Sequence, residues 1–577
     1  MNLVTPSGFR DVLPEEAAAR ERITRAVQGL FAAHGYLPIE TSTLEVMDVM
    51  RAGGRLPASP FKFFDSRGDL LAMRPDVTLQ IARMCATRLR ADDAPLRLRY
   101  THRVFRETEA QATAREMTQF GIECIGETGD AADAEVVALL IEALQESGVT
   151  RFSLALATVG VLRALLDRSG APAAWKARVL DAYHASDFVE LDRLTDLAAP
   201  APDVDTTGLA PAYADAVRAL PRIRGGREAI DAVRALVAPL GCTDGLDGFE
   251  RTFDELARRG FGDRLLVDFS VMSSFDYYTG IVFEAYSPLA GSPLGSGGRY
   301  DRMIGAYGAD RPAAGFAFSL EEAMAAAAAE ERLAATEAAP DAASSRRPLR
   351  IAVPKGSLNP DAIACLEEAG LDVTGLADPG RQLIISNPGV DYIIVRPSDA
   401  PVFVALGAAD CGICGKDSLL EAGAGVVELV DLRFGACRFV VAEPEGAGVS
   451  IDERYRKLGS IRIATKYPNI TQEHYAKTGV QVDVVKLHGN IELAPLTGMA
   501  ERIVDITATG TTLRENNLRV VEEVLASTAR FFANTCAFRT DARIVQLAGE
   551  LAAHAPEHTY DPIAGKPQTE GSAAKRS

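Results

Sequence analysis

The chain has 577 residues, of which 47% are apolar, so it can bury several cores; about 100 to 200 residues per domain predicts three or four. Its formal net charge of -18 argues against broad binding to nucleic acid, which draws on clustered Lys and Arg. The sequence has no apolar run of roughly 18 residues and no pattern of a secretory signal, so a cytoplasmic protein without membrane contact is expected.

Several segments in the first 325 residues combine apolar strands with polar ends. In FFDSRGDLLAMRPDVTLQIAR (63–83), a strand ends in Arg74-Pro75-Asp76, and Thr78 opens an amphipathic helix. RYTHRVFRETEAQATAREMTQFGIECIG (99–126) is typical of a strand, a loop and a strand. SSFDYYTGIVFEAY and GSGGRYDRMIG follow, and the glycines of the latter lack the strand-turn-helix setting of a dinucleotide fingerprint.

Together with the opening TPSGFRDVLPEEAAARERI, these segments resemble histidyl-tRNA synthetase, and more closely its regulatory paralogue, across residues 5–325. The resemblance implies an α+β class II aminoacyl-tRNA synthetase core, in which helices flank an antiparallel sheet. It also implies a pocket for free histidine, because acidic groups suit the ammonium, an Arg suits the carboxylate, and Tyr and Gln can bind the imidazole. The matching residues are Asp76, Thr78, Arg106, Gln119, Glu123, Tyr277 and Tyr278. Taken singly, each could instead be a structural polar group.

Two substitutions argue against amino-acid activation in this half. The synthetase has an Arg where this chain has Ser273, and its last motif ends in an Arg where this chain has Glu322. Losing one preorganised donor at a developing charge costs about 2.7 to 4 kcal/mol, and Glu322 would repel a triphosphate. The anticodon-binding domain expected after residue 325 is also missing. A catalytically inactive domain with an intact histidine pocket is therefore predicted.

Residues 326–347 are predicted to be a linker, because an Ala/Glu helix decays there into Ala, Ser, Pro and Arg, which cannot fill a core. The polar residues 553–577 are predicted to be a disordered tail. Cys411 and Cys414 form a C-x-x-C without a second ligand pair or a thioredoxin-like context. Both are expected to be buried and reduced.

Strands and helices alternate from residue 348 onward, beginning with LRIAVP (349–354) and a helix that ends at Gly370. The pattern predicts a parallel α/β sheet with ligands at the carboxyl ends of its strands. One strand carries Asp505 near its end and opens into the Thr/Gly turn 509–512. Amides, hydroxyls and a following helix could hold a sugar 5-phosphate there, and Asp505 could accept ribose hydroxyls. A Thr-rich turn without a ligand is the alternative.

This half resembles ATP phosphoribosyltransferase, the enzyme that opens histidine biosynthesis, along most of residues 348–550. The matching segments are AVPKGSL, Arg381, VRPSDAPVFVALGAADCGICGKDSLLE, DLRFGACRFVVA, KLHGNIELAP, VDITATGTTLRENNL and ARFFAN. The resemblance implies a catalytic unit, 348–552, of two α/β lobes like those of type II periplasmic binding proteins, with the second lobe at about 443–525. Ser357 departs from the Arg that usually follows Lys-Gly in the family.

The chemistry implied is attack by the adenine N1 of ATP on the ribose C1 of phosphoribosyl pyrophosphate, with loss of pyrophosphate. Lys355, Arg381 and Arg396 are expected to face the phosphates, although both arginines could be surface charges. Mg²⁺ is expected to be carried by the pyrophosphate, without a protein metal site. The residues expected to bind phosphoribosyl pyrophosphate are Glu492, Asp505, Ala508, Thr509, Gly510, Thr511 and Thr512.

The chain is expected to lack the C-terminal regulatory domain of long-form ATP phosphoribosyltransferases. The synthetase-like half is therefore expected to supply feedback by histidine, in a fusion that fixes regulator and catalyst at one to one. A homo-oligomer, either a dimer or a tetramer, is also expected, because synthetase cores of this class pair. Two alternatives stay open: a working histidyl-tRNA synthetase with an appended domain, and a solute-binding protein, which shares the two-lobed fold.

Overall fold

The computed structural model describes residues 4–54, 59–89, 94–107, 114–271, 277–308, 310–337, 347–507 and 510–556. The chain divides into two compact units, which we call the N-terminal unit (1–345 with 539–541) and the C-terminal unit (346–538 with 542–577). Among the described helices, none is both long and apolar enough to span a membrane.

The described elements of the N-terminal unit are numbered along the chain. They are α1 (Pro14–Ala33), β1 (Leu37–Pro38), β2 (Leu44–Val46), α2 (Met47–Ala52), β3 (Lys62–Phe64), β4 (Leu70–Met73), α3 (Thr78–Thr87), β5 (Leu96–Phe105), β6 (Glu116–Ile125), α4 (Asp130–Glu146), β7 (Ser153–Thr158), α5 (Val159–Arg168), α6 (Ala173–His184), α7 (Phe188–Thr195), α8 (Pro211–Ala219), β8 (Arg224–Gly225), α9 (Arg227–Val237), α10 (Leu246–Leu256), β9 (Leu265–Asp268), β10 (Ile281–Tyr286), β11 (Gly295–Arg299), β12 (Ala313–Ser319) and α11 (Leu320–Glu337).

The main sheet of this unit has, in the described residues, nine strands in the order β1-β5-β6-β12-β11-β10-β7-β9-β8. Neighbouring strands run antiparallel, except for the parallel pairs β1–β5 and β7–β9. Helix α4 packs against α1, α10 and β12. It is apolar around most of its circumference, with Val136, Leu140 and Ile141 fully buried, as expected for a helix inside a fold. The predicted antiparallel sheet flanked by helices is confirmed.

Helix α11 corrects the predicted linker. It continues to Glu337, eleven residues beyond the predicted linker start at Ala326. Ala323 and Ala326 are fully buried, and the Glu330 carboxylate accepts hydrogen bonds from the main chain of Thr150 and Arg151. Alanines are small and allow the helix to pack closely, so this alanine-rich segment forms part of a core although it lacks large apolar side chains. Residues 338–346 of the predicted linker lie outside the described residues.

The described elements of the C-terminal unit continue the same numbering. They are β13 (Leu349–Pro354), α12 (Asn359–Glu368), β14 (Ile384–Asn387), β15 (Val390–Val395), α13 (Ala400–Ala405), β16 (Cys411–Gly415), α14 (Lys416–Ala422), β17 (Val426–Asp431), β18 (Cys437–Pro444), α15 (Gly448–Leu458), β19 (Ile461–Thr465), α16 (Pro468–Thr478), β20 (Val482–Lys486), α17 (Leu493–Leu496), β21 (Arg502–Thr507), α18 (Thr511–Glu515), β22 (Leu518–Ser527), β23 (Ala529–Asn534), α19 (Thr535–Thr540) and α20 (Ala542–His554).

These strands form two sheets, which define a first and a second lobe. As described, the first-lobe sheet has the order β14-β15-β13-β16-β23-β17, and the second-lobe sheet the order β20-β19-β21-β18-β22. The prediction of a parallel sheet is therefore wrong in part, because β14, β17, β18, β22 and β23 enter antiparallel pairs. The second-lobe strands run from Cys437 to Ser527, so the predicted limits of 443–525 were too narrow.

The chain crosses between the lobes twice, from β17 to β18 and from β22 back to β23. The crossing segments are neighbours, since Cys437 pairs with Ser527 and Asp431 pairs with Arg530. The Ser527 hydroxyl also donates to Asp417 Oδ1 at 2.7 Å. Adjacent crossing strands held by such contacts make a short double connection between the lobes.

Cys411 and Cys414 are both buried in β16, as predicted. An odd spacing along a strand places them on opposite faces, so they do not share a site. The predicted start of the tail at residue 553 is too early, because α20 continues through His554 with Leu551 buried. Residues 557–577 lie outside the described residues.

Candidate functional site

The N-terminal unit contains a cavity of about 570 Å³, which we call the regulatory cavity. The residues predicted to bind histidine come from four different segments of the chain, and the structure brings all of them to this cavity. They are Asp76, Thr78, Arg106, Gln119, Glu123, Tyr277 and Tyr278.

Glycines on two adjacent strands, β11 and β12, make room for side chains that line the cavity. The sheet register aligns Glu123 on β6 with Gly315 on β12, Gly298 on β11 and Val282 on β10. A Cβ at Gly315 would lie 1.9 Å from Glu123 Oε2, and one at Gly298 would lie 2.7 Å from the Tyr278 ring. Glycine at these two positions therefore lets the acidic and aromatic side chains lie directly on the sheet.

A hydrogen-bonded network fixes Asp76 at the start of α3. Its Oδ1 accepts the main-chain N–H of Thr78 at 2.8 Å, and its Oδ2 accepts Gln119 Nε2 at 3.4 Å. The other end of the Gln119 amide, Oε1, is buried and accepts no hydrogen bond from the described residues. A buried polar atom without a partner is costly, so Gln119 Oε1 is available for a ligand donor.

Glu123 is fully buried and accepts a hydrogen bond from the Tyr300 hydroxyl. Burial raises the pKa of its carboxyl to about 8, and hydrogen bonds from Tyr300 and Thr78 only partly oppose this. Tyr300 also lines the cavity and stacks edge-on against Tyr277, with ring centroids 5.8 Å apart. Tyr300 was not among the predicted site residues, although it lies in the GSGGRYDRMIG segment.

The described lining of the cavity carries one guanidinium, Arg106, whose Nε donates to the carbonyl oxygen of Pro75 at 3.1 Å. Burial lowers the pKa of Arg106, and the nearby Asp76 raises it. Five acidic side chains share the lining, and burial raises the pKa of the last three: Asp76, Glu107, Glu123, Glu284 and Glu322. This balance suits a small ligand that is cationic at one end and carries one carboxylate.

Glu321 and Glu322 open α11 and point to different surroundings. Glu321 accepts hydrogen bonds from Arg20 at 2.8 Å and from the main chain of Thr118 at 2.9 Å. Glu322 lines the cavity, where burial raises the pKa of its carboxyl and a hydrogen bond from Ser292 lowers it. Ser273, the other substituted position, lies outside the described residues.

In the C-terminal unit, the predicted cations gather at one end of the first-lobe sheet. Lys355 follows β13 and Arg396 follows the adjacent parallel strand β15, and the Lys355 N–H donates to Val395 O at 2.8 Å. Arg381 precedes β14, which runs antiparallel beside β15. Among the described residues, none hydrogen-bonds or ion-pairs with the side chain of any of these three, and all three are exposed.

The carboxyl ends of the second-lobe strands place Asp505 beside a lysine that the sequence analysis missed. Thr465 pairs with Val504, so Lys466 after β19 lies next to Asp505 on β21. Burial raises the pKa of the Asp505 carboxyl, Lys466 lowers it, and Glu492 raises it. Asp505 Oδ1 accepts the N–H of Ile506 at 2.8 Å. Glu492 is half-buried at the start of α17.

The Thr/Gly turn is described at Gly510, Thr511 and Thr512, whereas Ala508 and Thr509 lie outside the described residues. Gly510 has φ of +71°, and its N–H donates to Thr507 Oγ1 at 2.8 Å. The following helix α18 has only five residues, so the expected reinforcement by a helix dipole is small. The Thr511 hydroxyl accepts Arg514 Nη2 at 3.2 Å.

A contact near these residues joins the two lobes. The Glu421 carboxylate, at the end of α14, accepts the N–H groups of Asn469 and Ile470 at 3.1 Å. Asn469 Nδ2 returns a hydrogen bond to the Glu421 carbonyl oxygen at 2.8 Å. Glu421 therefore caps the first turn of α16 from the opposite lobe.

Comparisons with known proteins match the two units separately. A family profile described as histidyl-tRNA synthetase matches residues 8–323, and one described as ATP phosphoribosyltransferase matches residues 396–553. An ATP phosphoribosyltransferase of Rubrobacter xylanophilus is 48% identical over 206 residues, covering 36% of this chain and 94% of that protein. An ATP phosphoribosyltransferase regulatory subunit of Moorella thermoacetica is 37% identical over 324 residues, covering 55% and 80%.

A solved structure is similar to a large part of this chain. It is described as an ATP phosphoribosyltransferase regulatory subunit/histidyl-tRNA synthetase from Bacillus halodurans, with a TM-score of 0.52, 27% identity, and coverage of 68% of this chain and 99% of that one. The predicted class II synthetase fold of the N-terminal unit is thereby confirmed. The N-terminal unit is similar to ATP phosphoribosyltransferase regulatory subunits. The chain therefore belongs to the histidyl-tRNA synthetase family through its N-terminal unit and to the ATP phosphoribosyltransferase family through its C-terminal unit.

Proposed function

We propose that the C-terminal unit transfers the phosphoribosyl group of phosphoribosyl pyrophosphate to N1 of ATP, and that the N-terminal unit regulates this step in response to free histidine. The observation that carries the catalytic assignment is the group of exposed cations, Lys355, Arg381 and Arg396, at one end of the first-lobe sheet. These three lack carboxylate partners in the described residues, as cations that receive phosphate groups require.

In the proposed reaction, the lone pair of adenine N1 forms a bond to ribose C1 while the bond from C1 to the pyrophosphate oxygen breaks. The bonding electrons leave with pyrophosphate, so negative charge grows on the leaving group. Lys355, Arg381 and Arg396 would stabilise that charge, and the two lobes would hold the substrates together. Side chains so placed accelerate the step without a covalent intermediate.

Mg²⁺ is proposed to enter as part of the substrate, bound to the pyrophosphate oxygens. In the described residues, no group of three or more His, Cys, Asp or Glu side chains could hold a metal ion. The cations at the first-lobe edge suit phosphate oxygens and not a metal. Phosphate oxygens are ligands that Mg²⁺ prefers, so the substrate itself would carry the ion.

Asp505 is proposed to accept the ribose hydroxyls. Its Oδ2 accepts no hydrogen bond from the described residues, and Lys466 favours its ionised form. Glu492 would lie on the same side of the sugar. The main-chain amides and hydroxyls of 508–512 would hold the 5-phosphate, and Arg514 would add a positive charge beside Thr511.

The two lobes are proposed to share the fold of type II periplasmic binding proteins. Two sheets joined by two adjacent crossing strands support this assignment. In such an arrangement the carboxyl ends of the strands border the cleft between the lobes. A homo-oligomer is also proposed, because synthetase cores of this class pair as dimers.

Histidine is proposed as the ligand of the regulatory cavity. Asp76 would receive its ammonium group, Arg106 its carboxylate, and Glu123, Gln119 and the tyrosines its imidazole. The unpaired Gln119 Oε1 and the single guanidinium in the described lining support this orientation. Binding would shift the activity of the C-terminal unit by a coupling of roughly 1 to 3 kcal/mol.

The catalytic assignment is tested by pyrophosphate release from ATP and phosphoribosyl pyrophosphate. Asp505→Ala, or Thr511→Ala with Thr512→Ala, should raise the half-saturating concentration of phosphoribosyl pyrophosphate or abolish turnover without unfolding the chain. Arg456→Gln is the control, since this exposed residue near the end of α15 comes before the amino end of β19, whereas Asp505 lies near the carboxyl end of the parallel neighbour β21. Wild-type kinetics in the Asp505 and Thr variants would contradict the assignment.

Histidine should lower the initial rate of the wild-type chain, and Arg106→Gln should remove that effect while leaving the uninhibited rate unchanged. Histidine-dependent exchange between ATP and pyrophosphate should be undetectable, because Glu322 stands where activation would need a cation. Inhibition that survives in Arg106→Gln would contradict the assigned histidine site.

A further inference from the structure

Lys466 and Asp505 lie opposite each other at the carboxyl ends of neighbouring strands in the second lobe. The parallel register pairs Thr465 with Val504, so the next residue along each strand brings Lys466 level with Asp505. Among the described residues, none hydrogen-bonds or ion-pairs with the exposed Lys466 side chain. Its ammonium group is close enough to Asp505 to lower the pKa of that carboxyl. A cation is therefore available beside the proposed ribose site.

Both side chains belong to the face of the sheet that carries the proposed substrate-binding segments. Successive strand residues point to opposite faces, so Lys466 follows the direction of Ala464, and Asp505 follows that of Ile503. Ala464 and Ile503 pack in one core cluster with residues of α17 and α18. These two helices directly follow the segments proposed to bind the sugar and its 5-phosphate. Lys466 therefore shares a face with the whole sugar site.

The order of the strands directs the two ends of the sugar to opposite sides of Asp505. The turn at 510–512 leads into α18, which packs against β22, whereas Lys466 follows β19 on the other side of β21. In phosphoribosyl pyrophosphate, the two ribose hydroxyls lie between C1, which carries the pyrophosphate, and C4, which carries the 5-phosphate arm. With the hydroxyls on Asp505 and the 5-phosphate at the turn, C1 and its pyrophosphate are directed toward Lys466.

We propose that Lys466 is a catalytic residue that binds the departing pyrophosphate from the second lobe. This role rests on the proposed function, which supplies the substrate. As the bond from C1 to the pyrophosphate oxygen breaks, its electron pair stays with that oxygen, and the Lys466 ammonium stabilises the growing negative charge. Adenine N1 forms the new bond to C1 in the same step. The pyrophosphate is then held by cations of both lobes, and Arg514 serves the 5-phosphate end.

The test is calorimetric binding of two substrate fragments to the full chain: ribose 5-phosphate, and pyrophosphate with Mg²⁺ added once ribose 5-phosphate is saturating. Lys466→Met should weaken pyrophosphate binding about tenfold or more, as expected for the loss of one charge-assisted hydrogen bond, and leave ribose 5-phosphate binding within about twofold of the wild type. Lys466→Arg keeps the charge and should retain pyrophosphate binding. Lys457→Met is the matched control, because this exposed lysine of α15 precedes the amino end of β19.

Turnover gives an independent readout. Lys466→Met should lower kcat for pyrophosphate release by about 100-fold, the effect of one preorganised donor at a developing charge, and Lys457→Met should not lower it. Equal weakening of both fragments would show that Lys466 only supports Asp505, which would overturn the proposal. Wild-type pyrophosphate binding or wild-type kcat in Lys466→Met would overturn it too. Pyrophosphate binding that depends on Lys466, in a wild-type chain without turnover, would instead contradict the proposed function and leave the pyrophosphate site standing.

Discussion

Replacing Glu123 by Gln should remove a pH-dependent loss of stability from the N-terminal unit. The carboxyl lies against Gly315, accepts a hydrogen bond from Tyr300, and has a pKa raised by burial from 4.5 to about 8. At 1.36 kcal/mol for each tenfold change in proton affinity, this corresponds to roughly 5 kcal/mol. Glutamine keeps the shape of the protonated carboxyl without the cost of burying a charge.

The folded protein keeps this proton to a higher pH than the unfolded chain does. The resulting stabilisation is fully present below about pH 4.5, falls as the pH rises, and is lost above about pH 8. Glutamine does not titrate, so the free energy of unfolding of the variant should gain on the wild type by roughly 1.4 kcal/mol per pH unit between these limits.

Native-state hydrogen exchange measures this difference in unfolding free energy for the N-terminal unit alone. The slowest amides of β6 and β12 report the unfolding free energy of the N-terminal unit, and those of β23 serve as an internal reference in the C-terminal unit. After correction for intrinsic exchange rates, the wild-type values for β6 and β12 should fall between pH 5 and 8 relative to Glu123→Gln. Parallel pH profiles in the two proteins would refute the reasoning.

Three further substitutions test separate contacts. Gly315→Ala places a methyl 1.9 Å from the buried oxygen Glu123 Oε2. It should lower the unfolding free energy by about 1 to 3 kcal/mol, measured by hydrogen exchange of β12 amides, and weaken histidine binding. A neutral effect would contradict this packing. Glu443→Ala leaves Arg502 and Arg519 without their shared, fully buried partner. It should lower the free energy of unfolding of the second lobe, measured in urea, by roughly 3 kcal/mol. No loss of stability would show that solvent already screens these charges. Glu421→Ala removes the cap on α16 and should lower stability by about 1 kcal/mol, so the amides of Asn469 and Ile470 should exchange about fivefold faster. Unchanged exchange would show that water caps the helix equally well.

The strands of the C-terminal unit could be located from the sequence because most are short apolar runs between turn residues. LRIAVP became β13 with the expected bounds, and IRIAT became β19. The apolar pattern by itself did not predict their division into two sheets, which only the family resemblance implied, since apolar runs that return to a distant partner look like those that pair locally. The Ala529–Asn534 strand returns to the first lobe, where it pairs with β16 and β17.

The composition of α11 led to a wrong prediction of where the N-terminal unit ends. Alanine-rich sequences without large apolar side chains resemble linkers, yet Ala323 and Ala326 pack where only small side chains fit. Glu330 is nearly buried there because it finds main-chain donors at Thr150 and Arg151, a partnership that the sequence does not reveal.

The sequence by itself determined the two families, because motifs in a fixed order identify a chain wherever its side chains finally lie. It also determined which residue types were available for phosphate and for histidine. The tertiary structure alone decided their environments: burial on β6, between β5 and β12 and beside Tyr300, raises the pKa of Glu123 to about 8, and Lys466 adjoins Asp505 because β19 and β21 are neighbours. Burial and pairing depend on contacts between residues far apart in the chain, and these exist only once the sheets have formed.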